Sequence, residues 1–265
     1  MTAEVTGSTT DTAYCGRPPV PGDLFERWNL DPAGITLLTA LAVLYWFGAW
    51  RRRVWARPEV DAFGAGWSLL AVSIVSPLCA LAIALFSARM AQHLLIVLVA
   101  APLLVRGRID AVLASIVRRR IAAPSRSSAP ATGLAFAAFW WLWHAPTIYA
   151  VALRNDAVYA AMQITLTTTS FLVWRILLRE TSFGALALGI GTAIQMGLLG
   201  ALLTFAPDPL YAAHFGTTTP FGFTPLEDQQ LAGLLCWVPG CGVLVAAGLV
   251  TALRWVSPAP PRAPR

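Results

Sequence analysis

Long apolar stretches, each near twenty residues, follow one another along this chain with short polar or basic breaks between them. Seven can be read: about 33–50, 64–86, 89–105, 131–152, 156–178, 184–206 and 228–254. Roughly 20 apolar residues in a helix cross the hydrocarbon core of a bilayer. The pattern therefore predicts an all-α, polytopic membrane helical bundle of about seven transmembrane helices over residues 32–255. The third stretch is short, and a tight turn at Ser87–Arg89 makes it a hairpin with the second. Pro77, Pro102 and Pro239 fall inside spans, where neighbouring helices can re-satisfy the freed carbonyls. Pro146 is expected to kink or end the fourth. Residues 1–31 read as a flexible extracytoplasmic tail with a short amphipathic stretch at Leu24–Leu30. Residues 256–265 read as a short cytoplasmic tail.

Composition agrees with lipid as the solvent. Hydrophobic residues make up 57% of the 265 and charged residues 12%, about half the charged share of a soluble domain. The net charge of +6 would suggest nucleic acid in a soluble protein. Here it argues for no nucleic acid partner, because the basic residues lie in short clusters between spans. All 19 are arginine. Placed on the seven-span pattern, 15 fall on one side, including Arg51–Arg53 and Arg118–Arg120. Only Arg17, Arg27, Arg89 and Arg154 fall on the other. The positive-inside rule then puts the N-terminus outside and the C-terminus in the cytoplasm. The N-terminus lacks a basic segment leading into an apolar one, so the first span is expected to direct insertion.

The candidate chemistry gathers at one end. His93, His144 and His214 are the three histidines, and all map to the extracytoplasmic side, with Glu227 and Asp228 opening the seventh span there. Met90 and His93 are three apart and share a helix face. Imidazole with thioether suits copper, particularly Cu(I). A histidine at a membrane interface also serves as an ordinary hydrogen-bonding group, and Met90 as packing. Thr224 and Glu227 fit a capping box, while Asp228, Gln229 and Gln230 are expected to face other helices. Trp140, Trp141 and Trp143 read as an interfacial aromatic belt. The four cysteines imply no disulfide scaffold. Cys15 reads as incidental and Cys79 as packing, and Cys236 and Cys241, five apart, fall on different helical faces. No metalloprotease, nucleophile-elbow or phosphate-loop motif occurs, so no enzymatic activity is expected.

From about Trp28 to about residue 250 the chain resembles the polytopic CtaG-type cytochrome c oxidase assembly factors. The resemblance rests on Trp28-Asn29-Leu30-Asp31-Pro32, Leu44-Tyr45 with Gly48 and Arg51, and Ser76-Pro77. It continues through Met90-Ala91-Gln92-His93, Pro102-Leu103-Leu104, Trp143-His144-Ala145-Pro146 and Pro207-Asp208-Pro209-Leu210-Tyr211. It ends with Glu227-Asp228-Gln229-Gln230 and Trp237-Val238-Pro239-Gly240. It implies a multi-pass protein of the bacterial cytoplasmic (inner) membrane that partners cytochrome c oxidase subunits and membrane lipid. It also implies help with copper delivery or insertion at the outer face. Copper would be bound transiently, with His93, His144, Met90 and Asp228 as the metal-site residues and Cys236 as a possible helper. Relatives often have His-Met where this chain has Arg89-Met90, and histidines where it has Tyr159 and Gln163. They often have a methionine where it has Cys236. Two other functions fit the residues: a non-metal structural chaperone for oxidase subunits, and a small transporter. Polar groups clustered at one face, with no internal repeat, argue against the transporter.

Overall fold

The computed structural model describes residues 14–52, 57–117 and 128–256, and among them every regular element is helical. We number the helices α1 (Pro32–Arg52), α2 (Arg57–Val75), α3 (Pro77–Ala84), α4 (Phe86–Arg106), α5 (Ile109–Val117), α6 (Ser128–His144), α7 (Pro146–Arg154), α8 (Asp156–Arg179), α9 (Phe183–Phe205) and α10 (Pro225–Val256). Among the described residues α1, α4, α8, α9 and α10 are each long and apolar enough to cross a membrane. A sixth crossing follows if α2 and α3, bent by 52° at their junction, count as one. The chain is thus an all-α bundle of apolar helices. Parts of the basic 106–130 loop and all of the expected cytoplasmic tail but Val256 lie outside the described residues.

The breaks have local causes. Proline disfavours a helical conformation in the residue before it. Ser76 and Ala145 are accordingly extended, and Pro77 and Pro146 each open the next helix. The expected fourth span is therefore two pieces, α6 of 17 residues and α7 of 9. Pro102 and Pro239 act differently. Each removes a backbone hydrogen bond from inside a long helix and crowds the carbonyl four residues back. Wider π-helical turns accompany them, at Leu95–Ala100 in α4 and Cys236–Gly240 in α10. The indole of Trp174 donates to the Val97 carbonyl at 2.7 Å and so satisfies one group of the first turn.

α4 is the axis of the bundle. Of its most apolar stretch 72% is buried, against 22% for α1 at the periphery. α9 and α10 cross closely through Gly200 and Gly233, where a Cβ on Gly233 would stand 2.7 Å from the Gly200 carbonyl oxygen. Small residues let membrane helices approach in this way. At the end holding Arg106, Asp110 of α5 takes Arg179 at 2.5 and 2.9 Å and Arg175 at 3.0 Å. At the other end, the Leu85 junction between α3 and α4 packs against the start of α10 and the segment 207–224.

Four expectations are corrected here. The turn before α4 is Leu85, and Ser87–Arg89 are already helical. The described part of the expected tail, residues 14–31, is fastened down: Cys15 is disulfide-bonded to Cys79, and Tyr14 stacks on Tyr159 at 4.4 Å. Only the 3-10 turn Leu24–Glu26, with its exposed Phe25, and the exposed Trp28 and Leu30 after it resemble the amphipathic stretch. Cys236 and Cys241 both face α9, since the wider intervening π turn brings residues five apart closer to the same face. Their thiols donate to Met196 and Ala193 of α9. Trp140 is wholly buried, and Trp141 and Trp143 donate to Gln195 and Thr165, so the three build the interior and form no belt.

Candidate functional site

His93 and His144 meet inside the bundle. His93 lies two turns into α4, and its ring has no exposure to solvent. His144 closes α6, where the α6–α7 break ends the helix and frees the ring at its last turn. His93 Nδ1 and His144 Nε2 are 3.4 Å apart, with the rings at 88°. His144 Nδ1 lies 2.7 Å from the Trp140 carbonyl, which can only accept, so Nδ1 carries the proton and Nε2 a lone pair. The same residue's carbonyl accepts from Tyr211 at 2.6 Å, and the Trp140 ring lies 4.4 Å from the imidazole. His144 is thereby fixed in position and in tautomer.

His93 is less committed. Its Nε2 is buried with no partner. With its proton on Nδ1 it donates to His144. With the proton on Nε2, two lone pairs face each other across 3.4 Å. Two nitrogens each about 2.0–2.1 Å from one ion can span such a gap. The pair therefore offers two neutral nitrogen donors to a soft or borderline cation. Met90, one turn earlier on α4, is wholly buried in the same core.

Asp228 has different work. Its carboxylate accepts from Phe86 N at 2.6 Å, Ser87 N at 3.2 Å and the Ser87 hydroxyl. Leu85, the residue at the cap position, offers no side-chain acceptor, so an acid on α10 caps α4 from outside. Among the described residues no three His, Cys, Asp or Glu side chains converge in a metal-competent group. His214 is separate too. Its Nδ1 faces the Ala84 carbonyl at 3.2 Å, and its Nε2 accepts from Tyr149 at 2.7 Å. Burial, aided by the nearby Arg89 charge, pushes its ring down to about 4. The capping box at Thr224 and Glu227 forms as expected, and Gln229 is buried between Leu210 N and the Leu203 carbonyl.

Two features escaped the sequence reading. Arg89 is 1% exposed, and its guanidinium donates to Gln92 at 2.8 Å and Tyr159 at 3.1 Å. Gln163 joins at the same hydroxyl at 2.8 Å. Arg89, Gln92, Tyr159 and Gln163 thus form one buried network. The second is the Cys15–Cys79 disulfide, both sulfurs lying 3.7 Å from the Tyr159 hydroxyl. Its signal was available: span counting puts both cysteines near the outer end.

No curated protein and no solved structure matches the chain. The family model for the cytochrome c oxidase caa3 assembly factor (Caa3_CtaG) matches residues 43–257, which takes in every helix from the second half of α1 to the end of α10. The chain belongs to the Caa3_CtaG family of cytochrome c oxidase caa3 assembly factors.

Proposed function

We propose that this assembly factor is a non-catalytic carrier that holds copper at the outer face of the bacterial cytoplasmic membrane and passes it to cytochrome c oxidase. The observation that carries the reading is the facing pair His93 and His144, buried at 3.4 Å with an unpartnered Nε2 on His93. Two strong donors hold copper less firmly than a closed four-ligand site, which suits an ion that must leave. Met90 is the thioether nearest in sequence to the pair.

The proposed topology has seven crossings: α1, α2 with α3, α4, α6 with α7, α8, α9 and α10. Two independent features favour an outside N-terminus. The arginine bias puts the Arg106, Arg179 and Arg254 end in the cytoplasm. The opposite end carries the disulfide, and disulfides persist outside the cytoplasm. The histidines lie toward that end.

A second reading, a chaperone that binds oxidase subunits without metal, draws support from Arg89. Its cation lies one turn from His93 on α4 and disfavours a positive ion nearby. Deletion of the gene separates the two. Under the carrier reading oxidase activity falls and added copper restores much of it. Loss of activity that copper leaves unrestored favours the chaperone.

A further inference from the structure

The charge on Arg89 has no counter-ion. Among the described residues no carboxylate comes within 4.0 Å of its guanidinium. Its guanidinium donates to the neutral oxygens of Gln92 and Tyr159 and interacts with the Tyr149 hydroxyl, its Cζ lies 5.1 Å from the Tyr159 ring centroid, and Nε and Nη2 make no hydrogen bond within 3.5 Å. A buried cation left uncompensated is costly. The place is built for a negative charge that the oxidised protein does not supply.

The sulfurs of Cys15 and Cys79 are linked to Arg89 through one shared group, the Tyr159 hydroxyl. The Tyr159 hydroxyl accepts from Arg89 and from Gln163, which leaves its own proton free for the two sulfurs 3.7 Å away. Asn29 Nδ2 points at Cys79 Sγ from the other side at 3.6 Å. A neutral disulfide makes little use of such donors, whereas thiolates accept them strongly. A cavity of about 330 Å³, lined in part by Tyr14, Asp31, Tyr159 and Gln163, borders the two stacked tyrosines.

We propose that Cys15 and Cys79, once reduced, form a second Cu(I) site, a two-coordinate bis-thiolate whose single negative charge is matched by Arg89. This rests on the reading of the protein as a copper carrier. Thiolate is the ligand class that selects Cu(I). A dithiol reductant gives two electrons and two protons to the disulfide and leaves as its own disulfide. The two thiols then bind Cu(I) and release two protons, giving a complex of net charge −1. Exchange with an oxidised dithiol partner, which takes up two electrons and two protons, re-forms the Cys15–Cys79 bond and frees the ion. The redox state of the pair then decides whether copper is held. Arg89 balances the loaded site.

The test is an anaerobic Cu(I) titration against a chromophoric chelator, using full-length protein in nanodiscs. One half of the sample is untreated, and the other is reduced with dithiothreitol and desalted. Reduced protein is expected to bind one more equivalent than untreated protein. That equivalent is expected to vanish in Cys15→Ser/Cys79→Ser and to survive in Cys236→Ser/Cys241→Ser. In Arg89→Gln it is expected to bind at least tenfold more weakly. It is expected to survive in His93→Ala/His144→Ala, so loss of the histidine site and loss of this one are told apart. Equal stoichiometry in reduced and untreated wild type overturns the proposal, as does persistence of the extra equivalent without Cys15 and Cys79. Unchanged affinity in Arg89→Gln overturns the charge matching. If the double serine variant does not fold, copper-edge X-ray absorption of the reduced wild type decides: sulfur ligation of the added ion supports the site, and its absence refutes it.

Discussion

Asp228 on α10 caps α4 by accepting the backbone N–H groups of Phe86 and Ser87. The first N–H groups of a helix have no partner within it, and a carboxylate also complements the positive end of the helix dipole. This contact fixes the height of α4, and so of His93, against α10. Asp228→Ala leaves those donors buried and unpaired, a loss of about 2–3 kcal/mol. A lowered melting temperature in detergent is expected, with histidine-bound copper retained by the folded fraction. Loss of copper at full stability would instead make Asp228 a ligand.

The α9–α10 crossing is the next sensitive point. Gly233→Ala places a methyl 2.7 Å from the Gly200 carbonyl and 2.4 Å from the Thr204 hydroxyl, where backbone must move. Overpacking of this kind costs about 1–3 kcal/mol. Gly242, with open space around it, is the control. Gly242→Ala is expected to leave the melting temperature unchanged, and Gly233→Ala to lower it by several degrees.

The helices themselves could be read from sequence, because a run of apolar residues near twenty long has few other uses and proline stops a helix through its neighbour. Pro77 and Pro146 both behaved so. Contacts that depend on a third element could not be read. The cap that Asp228 gives α4 is one of these, because its partners, Phe86 and Ser87, lie some 140 positions away. Cys236 and Cys241 looked divergent because 3.6 residues per turn was assumed where a π turn intervenes. Trp140 looked interfacial because nothing local says that α6 turns that face inward. The meeting of His93 with His144 was expected only as far as a shared membrane face, and the 3.4 Å approach depends on how α4 and α6 pack.

His214 makes stability depend on pH. An unfolded histidine titrates near 6.5, whereas burial holds this ring down to about 4. Between those values the unfolded chain binds a proton that the folded protein refuses. Its contribution is complete above about pH 6.5 and is lost as pH falls toward 4, by about 3 kcal/mol in all. His214→Gln is expected to lose less stability than wild type over that window in nanodisc melts. An identical pH slope in the two proteins would contradict the assignment.

At the opposite end, burial would raise the Asp110 carboxyl, but the Arg179 and Arg175 contacts outweigh it and hold its pKa below the ordinary value. The group is charged at neutral pH, and its pairing is lost as pH falls through its lowered pKa. Asp110→Asn is expected to cost about 2 kcal/mol, between the value of a surface pair and that of a buried one, since Arg179 is partly exposed. Urea or thermal melts check it, and oxidase assembly at permissive temperature is expected to be normal.

The proposed carrier role requires His93 and His144 to hold copper together. Its most direct measurement is a Cu(I) competition titration of untreated wild type beside the His93→Ala/His144→Ala variant, both in nanodiscs and matched for helical content. One equivalent is expected in the wild type, lost or weakened at least a hundredfold in the variant. Identical titration curves would contradict it.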